Sequence, residues 1–321
     1  MKTAVTFIIF KRPETTQKVF EAIRQAKPQK LFVVADGPRS DRDGEAEKCE
    51  ATRAIIEKVD WDCEVIKNYS DVNLGCAKRV SSGISWVFDN VEESIILEDD
   101  CIPHSTFFRF AEELLDKYRH DTRITSITAQ NAQLERKRTN YSYYYSRYSH
   151  CWGWATWKRA WQNYDLYIKL WKEVKANNIL GDILQNPKAV DYWTKVFDSI
   201  YENPTGITWD YQWTFACWMQ GGLNIIPDVN LVSNVGVGAD STHFTSGQEY
   251  SYINMPTQTM EFPLKHPPFI VRNTKADNFI QKTVYTNNQI QMMQQRLKKL
   301  RELLIVISTS VLPNPKNPQS I

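Results

Sequence analysis

The sequence has almost no net charge. Its 39 Lys and Arg residues nearly balance its 37 Asp and Glu residues, which leaves a formal charge of +2 at pH 7. Proteins that hold nucleic acid through bulk charge carry a basic excess, so the composition predicts no nucleic-acid partner. Hydrophobic residues make up 42% of the 321 residues and charged residues 24%. These values are typical of a globular protein with one large domain or two small ones.

Cysteine is sparse and lacks metal-binding spacing. The six Cys residues include no C-x-x-C pair. A secreted disulfide scaffold needs denser cysteines, and a zinc module usually needs paired ones. The pattern excludes the first class, argues against the second, and predicts scattered reduced thiols in a cytosolic protein.

No apolar run is long enough to cross a bilayer, which takes about 20 residues. Residues 4–10 form a short apolar run that meets Lys11 and Arg12 at once, without a small-residue cleavage site. Residues 303–307 are shorter still. We therefore expect a buried first strand at residues 4–10 and a cytoplasmic protein.

Short apolar runs alternate with helical patterns over the first 130 residues. Pro13, for example, opens a helix whose apolar positions recur at Val19, Phe20 and Ile23. Strands separated by helices predict an α/β fold with a mostly parallel sheet flanked by helices. Ligands bind such sheets at the carboxyl ends of the strands. The predicted strands cover residues 4–10, 31–35, 65–66, 94–97 and 124–127, and the predicted helices begin at residues 13, 40, 75 and 105.

The composition changes near residue 131, where Tyr and Trp become frequent. Trp154, Trp157 and Trp161 are spaced like one side of a helix. We predict that residues 1–130 and 131–272 are two halves of one domain.

Residues 273–321 form a third segment. It combines a heptad-like apolar seam with basic side chains and ends in a proline-rich stretch that we expect to be disordered. Three roles stay open for the seam: a helix packed on its own domain, a homodimer contact through residues 285–307, or peripheral contact with an anionic membrane. The seam consists of Ile290, Met293, Leu297, Leu300 and Leu304.

Three adjacent carboxylates, Glu98, Asp99 and Asp100, follow directly after a predicted strand. Their repulsion and burial cost free energy that a divalent cation relieves, and Mg²⁺ and Mn²⁺ prefer oxygen ligands. A metal held by one or two protein carboxylates keeps positions open for a diphosphate. Many such acid clusters are solvated or cap a helix, but the place after a buried strand favours a metal site.

Asp36 occupies the corresponding place after the second predicted strand. Its carboxylate can accept hydrogen bonds from a base or a ribose, and Arg39 can meet phosphate charge. A turn-forming Asp-Gly pair without a ligand is an equal alternative. Because both strands end at one edge of the sheet, we expect Asp36 and residues 98–100 to face one crevice.

A third motif begins with Asn73-Leu74-Gly75 and continues to Lys78 and Arg79. The glycine lets a helix start close to a ligand, and the two cations can meet phosphates. A solvated helix face is the alternative interpretation.

Asp210 lies between two tryptophans in the segment from Thr208 to Trp213. Aromatic neighbours raise the pKa of a carboxylate and fix its rotamer, which suits a general base. A polar residue at the rim of an aromatic core is the alternative.

His243 follows in a glycine-rich stretch and is a candidate contact for a metal or a diphosphate.

Together these motifs resemble the GT-A nucleotide-sugar glycosyltransferases, both small bacterial enzymes and the animal N-acetylglucosaminyltransferases that begin complex N-glycans. The resemblance covers about residues 1–130 and 205–245. It rests on the Asp after the second strand, a D-x-D motif in the form Glu-Asp-Asp, a Trp-Asp-x-x-Trp segment, and a downstream loop that ends in His. The matching residues are Asp36, Glu98, Asp99, Asp100, the Pro-x-x-Phe-Phe-like pattern at 103–108, Asp210, Pro227, Asp228 and Gly238 to His243.

The resemblance implies a role for each match. Asp36 would bind uridine, Glu98 and Asp99 would contact the nucleotide sugar, Asp100 would contact the metal, and Asp210 would be the catalytic base. The reaction would be an inverting transfer of a sugar from a nucleotide sugar, with UDP favoured, to a hydroxyl of a glycan or a lipid-linked acceptor. The cofactor would be Mn²⁺ or Mg²⁺.

Trp152, Trp154 and Trp209 are the candidate acceptor contacts, because indole faces pack against sugar rings. The resemblance implies a role in surface-polysaccharide or glycan synthesis. The short apolar runs and the basic seam at residues 285–307 predict a location in the cytoplasm or peripherally at the inner membrane face.

Two other functions compete with this prediction. A nucleotidyltransferase that makes sugar nucleotides would share the sheet and the metal, but it would want a glycine-rich loop after the first strand, where the sequence has Lys11-Arg12-Pro13. A non-enzymatic carbohydrate-binding protein would explain the aromatic residues and leave the acid triple unexplained.

Overall fold

Buried strands and amphipathic helices alternate through the first 130 residues. The computed structural model describes residues 1–206, 208–236 and 252–286. Helix α2 begins at Glu45 rather than near Ser40, because residues 40–43 form a turn and Gly44 takes the left-handed conformation before the helix. The elements are β1 (Ala4–Ile9), α1 (Pro13–Ala26), β2 (Lys30–Ala35), α2 (Glu45–Ala54) with a 3₁₀ turn (Ile55–Lys58), β3 (Glu64–Tyr69), α3 (Cys76–Asn90), β4 (Glu93–Glu98), β5 (Cys101–Pro103), α4 (Ser105–Tyr118) and β6 (Ile124–Thr128).

The second half adds short strands and most of the remaining helices. They are β7 (Tyr143–Ser146), β8 (Trp154–Trp157), α5 (Lys158–Trp161), α6 (Trp171–Ala176), α7 (Ile179–Leu184), α8 (Pro187–Glu202), α9 (Asp210–Met219), β9 (Leu223–Pro227), β10 (Val232–Asn234) and α10 (Thr274–Ile280), which runs into a π-helical turn (Gln281–Thr286).

One eight-stranded sheet joins the two halves, in the order β3-β2-β1-β4-β8-β6-β9-β7. Strands β3, β2, β1 and β4 run parallel. Strand β8 is antiparallel to both β4 and β6, so β6 and its parallel neighbour β9 run in the direction of β4. The predicted fold class, a mostly parallel sheet flanked by helices with a helical segment toward the C-terminus, is confirmed.

The two faces of the sheet bury different sets of side chains. In β1, Val5 and Phe7 point to one face of the sheet, and Ala4 and Ile8 point to the other, because side chains alternate along a strand. The first pair packs with α1 and α4, and the second pair packs with α3. Because helices cover both faces, the strands read as continuous apolar runs rather than as alternating ones.

The predicted helical face through Trp154, Trp157 and Trp161 is wrong. Residues 154–157 form β8, and only a single helical turn follows it. Along a strand, residues three apart point to opposite faces. Trp157 therefore joins the core on the α4 side, while Trp154 contacts Trp161 on the other side.

A small second sheet connects residues near the end of β4 to a distant segment. Strand β5 pairs antiparallel with β10, and the backbone N–H of Val235 donates to the carbonyl of Asp100 at 2.9 Å. This pairing brings residues 232–236 beside the acid triple.

None of the helices within the described ranges has both the length and the apolar character needed to cross a bilayer. The apolar seam predicted at residues 290–304 and the proline-rich end lie outside the described residues.

Helix α10 is held to the second half by a buried carboxylate. Asp277, 1% exposed, accepts hydrogen bonds from the Ser146 hydroxyl at 2.6 Å and from the Arg147 side chain at 3.3 Å. The Arg272 guanidinium lies 3.4 Å from the same carboxylate. Two cations therefore depend on one buried anion.

Asp277→Ala should lower the free energy of unfolding by about 3–5 kcal/mol, because it removes the carboxylate partner of the buried Arg147 and of the partly exposed Arg272. Asp191→Ala is the matched control, since its ion pair with Lys195 is exposed and such pairs contribute less than about 1 kcal/mol. Urea unfolding followed by circular dichroism measures both. Equal losses in the two variants would contradict a structural role for the buried carboxylate.

Candidate active site

The candidate site lies at the carboxyl ends of three neighbouring strands. Strand β1 is paired with β2 on one side and with β4 on the other. Asp36 follows β2, residues 98–100 end and follow β4, and residues 10–12 connect β1 to α1 between them. The central position of β1 makes its short connection a neighbour of both acidic motifs.

The Asp36 carboxylate organises the turn that precedes α3. It accepts four hydrogen bonds, from the backbone N–H groups of Gly37, Leu74 and Gly75 at 3.0, 2.9 and 3.0 Å and from the Asn73 amide at 3.1 Å. Burial raises the pKa of Asp36, and the three backbone N–H groups lower it. Two motifs that are 37 residues apart in sequence, at Asp36 and Asn73, therefore form one structural unit.

Gly37 is required by the close approach of two loops. A Cβ at this position would lie 2.6 Å from the backbone carbon of Val72, closer than real Cβ contacts. The Asp-Gly pair thus serves a turn and a tight backbone contact at the same time.

The three candidate cations have different environments. Arg39 forms an ion pair with Glu45 and lies over the Phe10 ring. Arg79 is buried and donates to the Ala35 carbonyl at 3.0 Å, which ties α3 to the end of β2. Lys78 is exposed on α3. Arg79 therefore has a structural role in this arrangement, while solvent reaches Lys78 and, in part, Arg39.

Asp99 is held by the connection after β1. Its carboxylate accepts from the backbone N–H of Phe10 at 3.0 Å and from the Arg12 guanidinium at 3.3 Å. Burial is the main reason that the pKa of Asp99 rises to about 7, while Arg12 lowers it. This side chain faces the protein interior at 6% exposure.

Asp100 shares the same arginine. Its Oδ2 accepts from the Arg12 guanidinium at 2.5 Å, and its Oδ1 faces the Cys101 thiol at 3.4 Å. A Cβ on Gly236 would collide with this carboxylate. Arg12 on one side and Gly236 on the other therefore fix the position of Asp100.

Glu98 lies close to three other carboxylates. Burial raises the pKa of Glu98 well above its ordinary value, and the charges of Asp100, Asp99 and Asp210 raise it further. Arg12 opposes these effects. The site would gain free energy from an additional cation.

Asp210 is the first residue of α9 and lies near the acid triple in space. The Thr208 hydroxyl donates to its carboxylate. A carboxylate in the first turn of a helix is stabilised by the helix dipole. The charge of Asp210 also raises the pKa of Glu98. Helix α9 therefore brings a fourth carboxylate close to the acid triple, although the two segments are more than 100 residues apart in sequence.

The Cys76 thiol at the start of α3 shows how closely the acids converge. Burial is the main reason that the pKa of Cys76 is raised, and four carboxylates raise it further. They belong to Glu98, Asp210, Asp100 and Asp36. Carboxylates singled out in three separate segments of the sequence thus lie near one thiol.

The tryptophans beneath this point form a stacked cluster. Trp154 and Trp209 are 1% and 3% exposed, and their rings stack with centroids 5.6 Å apart. Trp152 is only partly buried and stacks on Tyr252 at 5.9 Å. Among the candidate acceptor contacts, Trp152 is therefore the one at the surface, and the role of all three stays a prediction.

No group of three or more His, Cys, Asp or Glu side chains within the described residues has the geometry of a metal site. His243 and the stretch from 238 to 247 lie outside those residues. The donors present nevertheless suit a hard cation, because Glu98 and Asp100 offer carboxylate oxygens and the neighbouring negative charges raise the pKa of Glu98. Mg²⁺ is commonly held by one or two carboxylates together with substrate phosphates.

Three residues of this site carry no motif that points to them in the sequence: Arg12, Cys76 and Gly236. Lys11 and Arg12 look like the polar end of an apolar strand. Only the sheet order, with β1 next to β4, reveals that Arg12 lies beside the acid triple.

No protein-family model and no curated protein sequence matches the chain. Among solved structures, UDP-glucose pyrophosphorylase in complex with UDP-glucose is 13% identical, with a TM-score of 0.31 over 51% of this chain and 79% of that one. The 4-diphosphocytidyl-2C-methyl-D-erythritol synthase from Anaerococcus prevotii is 13% identical, with a TM-score of 0.32 over 52% and 75%. The galactosyltransferase LgtC, in complex with donor and acceptor sugar analogs, is 9% identical, with a TM-score of 0.36 over 68% and 72%. At TM-scores below 0.5 these similarities support no argument about function.

Asp36→Asn should lower the free energy of unfolding by about 1–3 kcal/mol. It replaces one carboxylate oxygen, which now accepts hydrogen bonds from backbone N–H groups, with an amide nitrogen that cannot accept them. Hydrogen exchange at the Leu74 and Gly75 amides should accelerate. Asp71→Asn is the matched control, since Asp71 is exposed in the same loop and such a change stays within about 0.5 kcal/mol. Unchanged exchange in the Asp36 variant would contradict the organising role.

Proposed function

We propose that this chain is a metal-dependent glycosyltransferase. It would move a sugar from a nucleoside-diphosphate sugar, most favourably a UDP-sugar, to an acceptor hydroxyl with inversion at the anomeric carbon. The observation that carries the proposal is the convergence of Asp36, Glu98, Asp100 and Asp210 around Cys76, at the edge where α/β sheets bind ligands.

The nucleoside end of the donor is assigned to the Asp36 turn. Its backbone N–H partners hold the turn in one conformation before any ligand binds. The exposed Lys78 and the partly exposed Arg39 supply positive charge for the diphosphate on either side. A preorganised turn reduces the entropy lost on binding.

Glu98 and Asp100 would hold the divalent cation, Mn²⁺ or Mg²⁺, at the end of β4. When bound, such a cation neutralises the diphosphate and stabilises it as a leaving group. Asp99 would act indirectly, because its carboxylate is engaged by Phe10 and Arg12.

Asp210 would remove the proton of the acceptor hydroxyl. As the oxygen forms its bond to C1 of the donor sugar, the bond from C1 to the diphosphate oxygen breaks on the opposite face. The proton goes to the Asp210 carboxylate, and the leaving group departs as the nucleoside diphosphate. The Thr208 hydroxyl orients the base from the preceding loop.

The acceptor would approach over the aromatic residues. Trp152 would contact the acceptor through the exposed part of its ring, next to Tyr252, while the stack of Trp154 and Trp209 supports the backbone that carries Asp210. Sugar rings bind indole faces through their apolar C–H groups. A glycan or a lipid-linked glycan is the acceptor class that fits.

Glycosyl transfer accounts for the site better than the competing functions. The three-residue connection after β1 contains no glycine, and Arg12 is engaged with acidic side chains. A phosphate-cradling loop for a nucleotidyltransferase would need free backbone N–H groups there. A simple sugar-binding protein would have no use for four converging carboxylates.

Asp100→Ala should weaken Mn²⁺-dependent binding of UDP at least tenfold, because it removes a ligand of the cation. Isothermal titration calorimetry with UDP, GDP and dTDP, each with and without Mn²⁺, measures this effect and identifies the base. Asp89→Ala, which removes an exposed acid from α3, is the control and should bind like the unaltered chain. No Mn²⁺-dependent binding of any of these nucleotides to the unaltered chain would refute the proposed function.

Asp210→Asn should keep the donor affinity and reduce transfer by about 10²–10⁴-fold, the usual contribution of general-base catalysis. Calorimetry with the nucleotide measures the first quantity, and product formation from a radiolabelled nucleotide sugar measures the second. Normal transfer by this variant would assign the base to another residue.

A further inference from the structure

Arg12 lies beside the acid triple, where its charge would repel a metal ion bound to the same carboxylate. Its guanidinium bridges Asp99 at 3.3 Å and Asp100 at 2.5 Å. Its side chain is 19% exposed, against 8% for Asp99 and 15% for Asp100. The three groups form one partly buried cluster at the end of β4.

The Arg12 nitrogen and a metal ion would share one acceptor. A cation held by the Asp100 carboxylate would lie close to the guanidinium that now pairs with it, and two like charges close together repel strongly in a partly buried site. The other oxygen, Oδ1, faces the Cys101 thiol, and Gly236 closes the remaining side. Asp100 therefore has little freedom to turn away from Arg12 and serve both cations.

Arg12 can leave Asp100 without losing every partner. It keeps the ion pair with Asp99, which is itself anchored by the Phe10 N–H at 3.0 Å. The same guanidinium thus has one fixed acidic neighbour and one that it shares with the candidate metal site.

We propose that Arg12 is an internal counter-cation that competes with the divalent metal for Asp100, so that metal binding requires Arg12 to move off that carboxylate. The inference rests on the proposed function and adds a positioning residue to it. In the nucleotide-free chain, Arg12 compensates the carboxylates and keeps metal affinity low. The metal would then enter together with the diphosphate, whose oxygens supply further ligands.

The test is a titration of Mn²⁺, followed by the electron paramagnetic resonance signal of the free ion, in the absence and presence of UDP. Arg12→Gln should bind Mn²⁺ without nucleotide at least tenfold more tightly than the unaltered chain. Arg12→Lys keeps the charge and should remain within about threefold of the unaltered chain. Lys11→Gln removes the neighbouring cation, which pairs with Glu45 instead, and should leave the affinity unchanged.

Unchanged or weaker Mn²⁺ binding by a folded Arg12→Gln variant, together with UDP-dependent Mn²⁺ binding by the unaltered chain, would overturn the inference and leave the proposed function intact. No Mn²⁺ binding by either chain, with or without UDP, would overturn both. An equal gain in Lys11→Gln would also overturn the inference, because the effect would then reflect overall charge.

A second measurement uses the unaltered chain and does not depend on the folding of a variant. Phenylglyoxal modifies exposed arginines, and mass spectrometry locates the product. Saturating Mn²⁺ should increase the modification rate of Arg12 at least threefold and leave that of Arg159, which donates to three backbone carbonyls, unchanged. An unchanged rate at Arg12 would contradict its displacement by the metal.

Discussion

Carboxylates that the fold buries at the carboxyl ends of β2 and β4 constrain the loops that surround them. An ionised carboxylate removed from water costs several kcal/mol unless hydrogen bonds or opposite charges compensate it. Asp36 is compensated by backbone N–H groups, and Asp99 by Phe10 and Arg12. Burial raises the pKa of Glu98, and the charges of Asp100, Asp99 and Asp210 raise it further. The conformations of the neighbouring loops follow from these requirements.

The order of the strands in the sheet brings residues from distant parts of the chain next to these carboxylates. Strand β1 lies between β2 and β4, so its connection to α1 contacts the acids of the β4 end. The small sheet of β5 and β10 adds Gly236 beside Asp100, and α9 adds Asp210. Each addition comes from a different part of the chain, and each approaches the same edge.

Local sequence patterns predict the first half well because its elements obey simple periodicities. Buried parallel strands are continuous apolar runs, and the helices between them are amphipathic, so β1, β2, β4 and the start of α1 fall close to their predicted residues. The tryptophans near residue 154 are the instructive error. Their spacing fits a helix, but a strand inserted between β4 and β6 buries both of its faces, and a pattern that is apolar on both faces carries no period.

The sequence by itself determined the α/β class and the positions of Asp36 and Glu98 to Asp100 at strand ends, because strand ends and turn residues are local properties. It also singled out Asp210 through its aromatic neighbours. Only the tertiary structure decided which of these groups face each other and which cation accompanies them. Strand order is set by pairings between residues far apart in the chain, so no local pattern could place Arg12 against Asp100 or bring α9 to the end of β4.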